Sequence, residues 1–536
     1  MAGSDGAMDL VNGWTGSTAC ALQSALRMSH DTFAAHLDVS VRTVAGWHQK
    51  PETRPRPEQQ QLLDTALELA SESAKRRFAV LTGQAEHAED GEREDAVPAD
   101  TEGRLISDPN IHMALSRLDE MAGWEPGTAR RDVASRLRGL DRRSLDDRAN
   151  RRKRVSRQRI AQALGEYYRA NAPGGHGRYK AKCESGGEIE TSVLTHPAWL
   201  DIHCDLMADD RLAMSLAASF AEHPLDTQAA NAAAQRLAEV LIAGTRFVDM
   251  PLYRLVEADV GPEQISGLMT ITRFSQYALT LDLLEGELAD ALAAGVAPRP
   301  GSLPLRDRYL PDIASVINTG GRLCAGGALA LCAFARPPGP YRSRPDYVLL
   351  IQERSGSVVN AAGQLAVIPK GFHQPMTDFA NDTRIAATLF REMEEELFGR
   401  EDIDGTFMGQ NRVADPMHPS RLSEPLRWLT ENPGMLRLEC TAFGLNLVSG
   451  NFEFACLVVV DSPDFWHRFG GIVEANWESS ALRQYSSLDS ASLGALACDD
   501  AWGNEGVFAF LQGLRRLKQI GGDRVNMPEI EWKVEL

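Results

Sequence analysis

At 536 residues the chain exceeds what one ordinary core supports, and its length suggests about three or four domains. A formal net charge of −18 argues against coating nucleic acid through bulk attraction, while leaving room for a local basic surface. Eight cysteines without a Cys-x-x-Cys pair suit reduced core thiols rather than a disulfide framework or a zinc site; with no signal-like N-terminus and no bilayer-length apolar run, a cytoplasmic protein without a membrane span is expected.

From Thr15 to about Thr82 the apolar residues recur at helical spacing in short segments, which predicts a small all-α domain over residues 1–82. Within it, Leu26 to Trp47 has the cadence of two helices joined by a tight turn. Phe33, Ala34 and Leu37 should face the core from the first helix, Val39 should fill the turn, and Val44 and Trp47 should anchor the second. Ser29 and Ser40 stand where N-caps belong. This pattern resembles the helix-turn-helix of the phage-repressor (Cro/C1-type, XRE) family. The resemblance implies that Ser40, Val41, Arg42 and Thr43 begin a helix that enters the major groove, and that Gln49 and Lys50 reach the DNA backbone. The alternative is a helical protein-docking module in which Arg42 and Lys50 are simply exposed charges.

Residues 83–110 open on a stretch rich in Glu, Asp, Ala and Gly, with little to bury, and are expected to form an acidic tether. Thirteen Arg or Lys residues fall between Arg130 and Arg159. A solvated helical face explains them, and a surface for phosphate or an acidic partner is the other reading. The Gly-rich loop from Ala172 to Lys180 reads as a connection that could also approach phosphate through its backbone. Ala- and Leu-rich segments such as Leu212 to Phe220 and Ala229 to Ile242 predict a mainly α-helical middle domain over residues 111–310.

After Gly327 the period changes. Ala328 to Phe334, Tyr347 to Ile351, Gln364 to Ile368, Leu436 to Leu447 and Phe452 to Val460 read as strands, the last two joined by a Val448-Ser449-Gly450-Asn451 turn. A helix is expected between Asn381 or Asp382, its N-cap, and Gly399, followed much later by an amphipathic helix from Glu505 to Ile520. The first of these carries Glu392, Glu395 and Glu396 at i, i+3 and i+4, so three carboxylates should converge within one turn, repelling one another unless a hard cation joins them.

Arg391-Glu392-Met393-Glu394-Glu395-Glu396 resembles the second half of the Nudix signature, and Pro369-Lys370-Gly371 resembles the turn that precedes it. The resemblance implies an α/β/α sandwich over residues 311–536, with Glu392, Glu395 and Glu396 as ligands of Mg2+ (or Mn2+), Glu395 and Glu396 as catalytic residues, Gly371 opening the loop and Arg391 holding it. The sequence departs from the pattern where Thr383 stands in the place of a Glu, with Asp378 and Asp382 nearby as substitutes, and where the loop after Gly371 is long. A multidomain regulator follows as the expectation: a homodimer that binds double-stranded DNA through its N-terminal domain and a nucleotide-type diphosphate through its Nudix-like domain. The rivals are a magnesium-dependent hydrolase of a nucleoside diphosphate derivative and an interaction scaffold with neither activity.

Overall fold

The computed structural model describes residues 14–26, 28, 33–34, 36–37, 39–51, 53–68, 75, 78, 82, 99–169, 173–184, 187–215, 224–339, 342–354, 364–400, 417–470 and 479–535. The chain divides into two compact units, Met1–Ala96 and Val97–Leu536. No helix among the described residues is long and apolar enough to cross a membrane.

Every regular element described in the first unit is helical, with α1 (Gly16–Ala25), α2 (Val41–Gln49) and α3 (Pro57–Glu68) the longest. Thr15 starts α1 with a reciprocal capping box to Thr18, and Ser40 starts α2 by accepting from Thr43 N. Ser29 lies outside the described residues. Trp14, Phe33, Leu37, Val44, Trp47, Leu63 and Phe78 form the core. α1 and the end of α2 meet closely: a Cβ on Gly16 would lie 2.7 Å from the Lys50 carbonyl oxygen, so only glycine permits that approach.

The second unit mixes helix and sheet. Its helices include α4 (Arg142–Lys153), α5 (Arg157–Tyr167), α6 (Thr227–Ala243), α7 (Leu283–Ala293), α8 (Ile385–Glu392) and α9 (Asn504–Ile520). Its strands are β1 (Gly177–Cys183), β2 (Glu188–Thr195), β3 (Cys204–Asp205), β4 (Asp210–Met214), β5 (Pro251–Val260), β6 (Ile265–Arg273), β7 (Gly326–Arg336), β8 (Asp346–Arg354), β9 (Leu365–Val367), β10 (Lys370–Phe372), β11 (Leu436–Asn446), β12 (Phe452–Val460), β13 (Ser479–Ser486) and β14 (Ile530–Glu535).

The larger sheet runs β13-β8-β7-β12-β11-β2-β1-β14, with β10 on β7, β9 on β8 and β3 on β11; a second sheet has the order β4-β6-β5. At the centre, β7 and β12 pair in parallel, while β11 and β12 form the antiparallel hairpin whose turn places Gly450 at φ 78°. Both faces of β7 are covered. Leu329, Leu331 and Ala333 share a core with Phe508, Leu511 and Leu514 of α9, while Ala328, Ala330 and Cys332 share the other with Leu389 of α8. That two-sided burial explains why β7 is a continuous apolar run, each large side chain contributing about 1.5–3 kcal/mol.

Three expectations need correction. Residues 99–107 are helical rather than part of a tether to 110, because Thr101 and Leu105 are buried and Arg104 donates to the Thr245 carbonyl. Residues 83–98 lie outside the described residues. Leu212 to Met214 form part of strand β4, where parallel pairing with β6 overrides local helical spacing; residues 216–223 are outside the described residues. The region 111–310 is not helix alone and not a separate domain, since β1 to β6 lie among its helices. β1 and β2 enter the larger sheet beside β14 and β11, so no sheet boundary falls at 310, and 97–536 is one compact unit.

The eight cysteines are free, six of them buried.

Candidate functional site

In the first unit the residues at the start of α2 divide into caps and exposed groups. The Ser40 hydroxyl accepts from Thr43 N at 3.1 Å and lies 2.8 Å from the Thr43 hydroxyl, so the two side chains satisfy one another. Val41 and Arg42 are exposed on the first turn and Lys50 is exposed at the C-cap, while the Gln49 side chain is outside what is described. Val44 and Trp47 turn the opposite face into the core. Such an arrangement holds the helix by one side and leaves Arg42 and Lys50 exposed.

In the second unit the carboxylate segment is assembled from distant parts of the chain. α8 begins after Arg384, which provides no side-chain cap. Its first amide, Ile385 N, is instead capped by the Asp210 carboxylate from β4, which also accepts from Leu212 N. Burial pushes the Asp210 pKa up to about 6 against the pull of those donors. Asp382 accepts from the amides of Met376, Thr377 and Asp378, and Asp378 from those of Ala380 and Asn381, so both carboxylates order the loop before the helix. Thr383 is buried, with its hydroxyl directed to the carbonyls of Leu212 and Ala380.

His373 fastens the same loop from inside. Its Nδ1 lies 2.7 Å from the Thr388 hydroxyl and its Nε2 2.8 Å from the Thr383 carbonyl. Burial holds its pKa down near 3, so the ring is neutral through the physiological range. Arg391, also buried, donates to the carbonyls of Phe372 (2.8 Å) and Gln374 (3.3 Å) and pairs with Glu392. Gly371 sits where a Cβ would fall 1.9 Å from Glu392 Oε1, so the position admits no side chain while Glu392 stays in place.

Beyond Glu392 the helix widens into a π-turn over Met393–Leu397, closed by Phe398 N donating to the Met393 carbonyl at 3.1 Å. Widening changes which way each carboxylate points. Glu394 is fully buried and accepts from Ser423 N and Oγ, both at 2.9 Å; burial pushes its pKa up. Glu396 is buried and accepts from Lys370 N at 2.7 Å. Glu395 keeps partial exposure. The i, i+3, i+4 convergence assumed a regular α-helix, and the π-turn removes that assumption. Among the described residues no three His, Cys, Asp or Glu side chains come together so as to hold a metal ion. Glu392 pairs through Oε1 with Arg391, and Glu396 accepts through Oε2 from the Lys370 amide, so both carboxylates also serve the fold.

A further group adjoins it through Lys370, whose Nζ meets Glu505 Oε1 at 2.7 Å. Asn446 Nδ2 donates to Glu505 Oε2 at 3.4 Å, and Glu453 is buried beside them. Burial, and then the Glu505 charge, raise the Glu453 pKa to about 8. A protonated carboxyl next to one ionised against lysine can both donate and accept protons. Glu453, Glu505, Asp210 and His373 escaped notice in the sequence because each belongs to a separate element and none sits in a recognisable spacing.

No protein-family model matches the chain, and no curated protein matches it.

Proposed function

We propose that the chain is a transcriptional regulator that binds double-stranded DNA as a homodimer through an XRE-type helix-turn-helix, with a Nudix-like C-terminal portion that senses a nucleotide-type diphosphate. The observation that carries this reading is α2: capped by Ser40, buried through Val44 and Trp47, and exposed at Val41, Arg42 and Lys50. Sensing is preferred to hydrolysis because Thr383 stands where the Nudix signature has a Glu, and it is buried with its hydroxyl on the Leu212 and Ala380 carbonyls.

Selection of bound duplexes from a genomic library tests DNA binding directly. On a selected duplex, Arg42→Ala should weaken binding by about 1–3 kcal/mol if Arg42 reads a base edge. Recovery of no enriched sequence would refute the regulatory reading, and unchanged affinity would remove Arg42 from the interface.

The rival is a magnesium- or manganese-dependent hydrolase of a nucleoside diphosphate derivative. The partial exposure of Glu395 favours it. Turnover in a panel of diphosphates with either metal, abolished by Glu395→Gln, would establish the enzyme in place of the sensor.

A further inference from the structure

The Arg-rich stretch has no part in either site above. α4 has no fully buried side chain; Leu145 packs half-buried against the core, and ion pairs moor the rest. Arg148 meets Glu239 of α6 at 2.5 Å and also pairs with Asp290 of α7, and Arg152 Nε meets Asp290 Oδ1 at 2.6 Å. Gly286 leaves room for this, since a Cβ there would lie 3.1 Å from Arg152 Nη2.

Together α4, the start of α5, α6 and α7 bound a cleft of about 1220 Å3, large enough for a nucleotide-sized molecule. Its cations fall into two classes. Arg148, Arg152 and Arg236 are matched by Glu239, Asp290 and Asp282. Lys153 and Arg154 are exposed, and Arg157 is the first residue of α5.

Arg157 is the informative one. It lines the cleft yet is only 5% exposed, and its Nε has no hydrogen-bond acceptor among the described residues. Nη1 is spent on the Glu190 carbonyl, and the carboxylate it pairs with, Asp500, stands 3.9 Å away with a side chain 68% exposed. Burial pulls its pKa down, as befits a guanidinium without a close counter-ion. A buried charge left so poorly compensated is destabilising, and an arriving anion relieves it. The N-terminus of α5, an eleven-residue helix, adds its dipole at the same place, and Ser156 caps only Arg159 N there.

We propose that this cleft binds a phosphate-bearing small molecule, its phosphate on Arg157, Lys153, Arg154 and the first amides of α5, and its hydroxyl-bearing part towards Asp282 and Glu285. Glu285, raised to about 7 by burial and the Asp282 charge, can then serve as donor or acceptor to hydroxyls. The proposal rests on the regulatory reading only in making this ligand the effector. It adds an anion seat at the Arg-rich wall, apart from the carboxylate segment.

The test is calorimetric titration of the full chain with inorganic pyrophosphate and, separately, ADP, both in EDTA so that no divalent cation contributes. Saturable binding is expected for at least one probe. Arg157→Gln should weaken it tenfold or more, and the exposed pair Lys153→Gln with Arg154→Gln, which keeps all ion pairs mooring α4, should weaken it severalfold. If Arg157→Gln fails to fold, the exposed pair alone decides. Absence of binding, or binding that ignores both changes, overturns the proposal. So does binding lost in Glu395→Gln but kept in the Arg157 variant, which returns the ligand to the carboxylate segment. None of these outcomes touches DNA selection, so this proposal and the regulatory reading can fail separately.

Discussion

Burial has set two side chains of the second unit at opposite ends of the pH scale. His373, held near 3 in the fold against an ordinary 6.5, is neutral when folded, so its contribution is complete above about 6.5 and is lost as pH falls through about 3. Glu453 behaves in the reverse sense. Its folded value of about 8 lies above the ordinary 4.5, so the folded state holds the proton more tightly than the unfolded chain; stability is greatest below about 4.5 and declines as pH rises through about 8. Glu453→Gln keeps the shape and the neutral state but removes the titration. Thermal melts over a pH series should therefore show a shallower alkaline decline in the variant than in the wild type. Identical slopes would mean that Glu453 titrates as an ordinary exposed carboxylate.

At the scale of elements, the start of α8 depends on a residue well over a hundred positions away. Helix N-termini leave amides to be satisfied, and here a carboxylate from the small sheet does what a local cap usually does. Asp210→Ala should cost about 1–3 kcal/mol, because it strands the buried amides of Ile385 and Leu212. Chemical denaturation measures this, and an unchanged midpoint at unchanged slope would show that water replaces the cap. The π-turn that follows is the other decisive local event. A hexapeptide matching a metal-binding signature letter for letter need not present its carboxylates together if the helix widens by one residue.

At the scale of the whole molecule, the regulatory reading demands energetic coupling between the two compact units. An effector that alters DNA affinity must have its own affinity altered by DNA to the same factor. Titrating pyrophosphate or ADP into protein alone and into protein saturated with a selected duplex should give affinities that differ about fivefold or more. Equal affinities would leave two independent binding modules on one chain.

The sequence by itself determined what repeats along the chain. The helix after Ser40, the apolar runs of β7, β8 and β12, the Gly450 turn and the long helix α9 were all legible, because each depends on spacing or turn chemistry within a few residues. Only the tertiary structure decided what lies between distant segments. β1 and β2 join the larger sheet through pairing that no local period announces, and β4 becomes a strand because β6 lies beside it. Asp210 reaches α8, Lys370 ties the carboxylate segment to Glu505, and Arg157 is buried against the Glu190 carbonyl. At the carboxylate segment the division is sharpest: the sequence placed three glutamates one helical turn apart, and their partners, Arg391 and the Lys370 amide, turned two of them into the fold. Charge placement is local in sequence, whereas the fields and donors that dispose of a charge come from whatever the fold brings near.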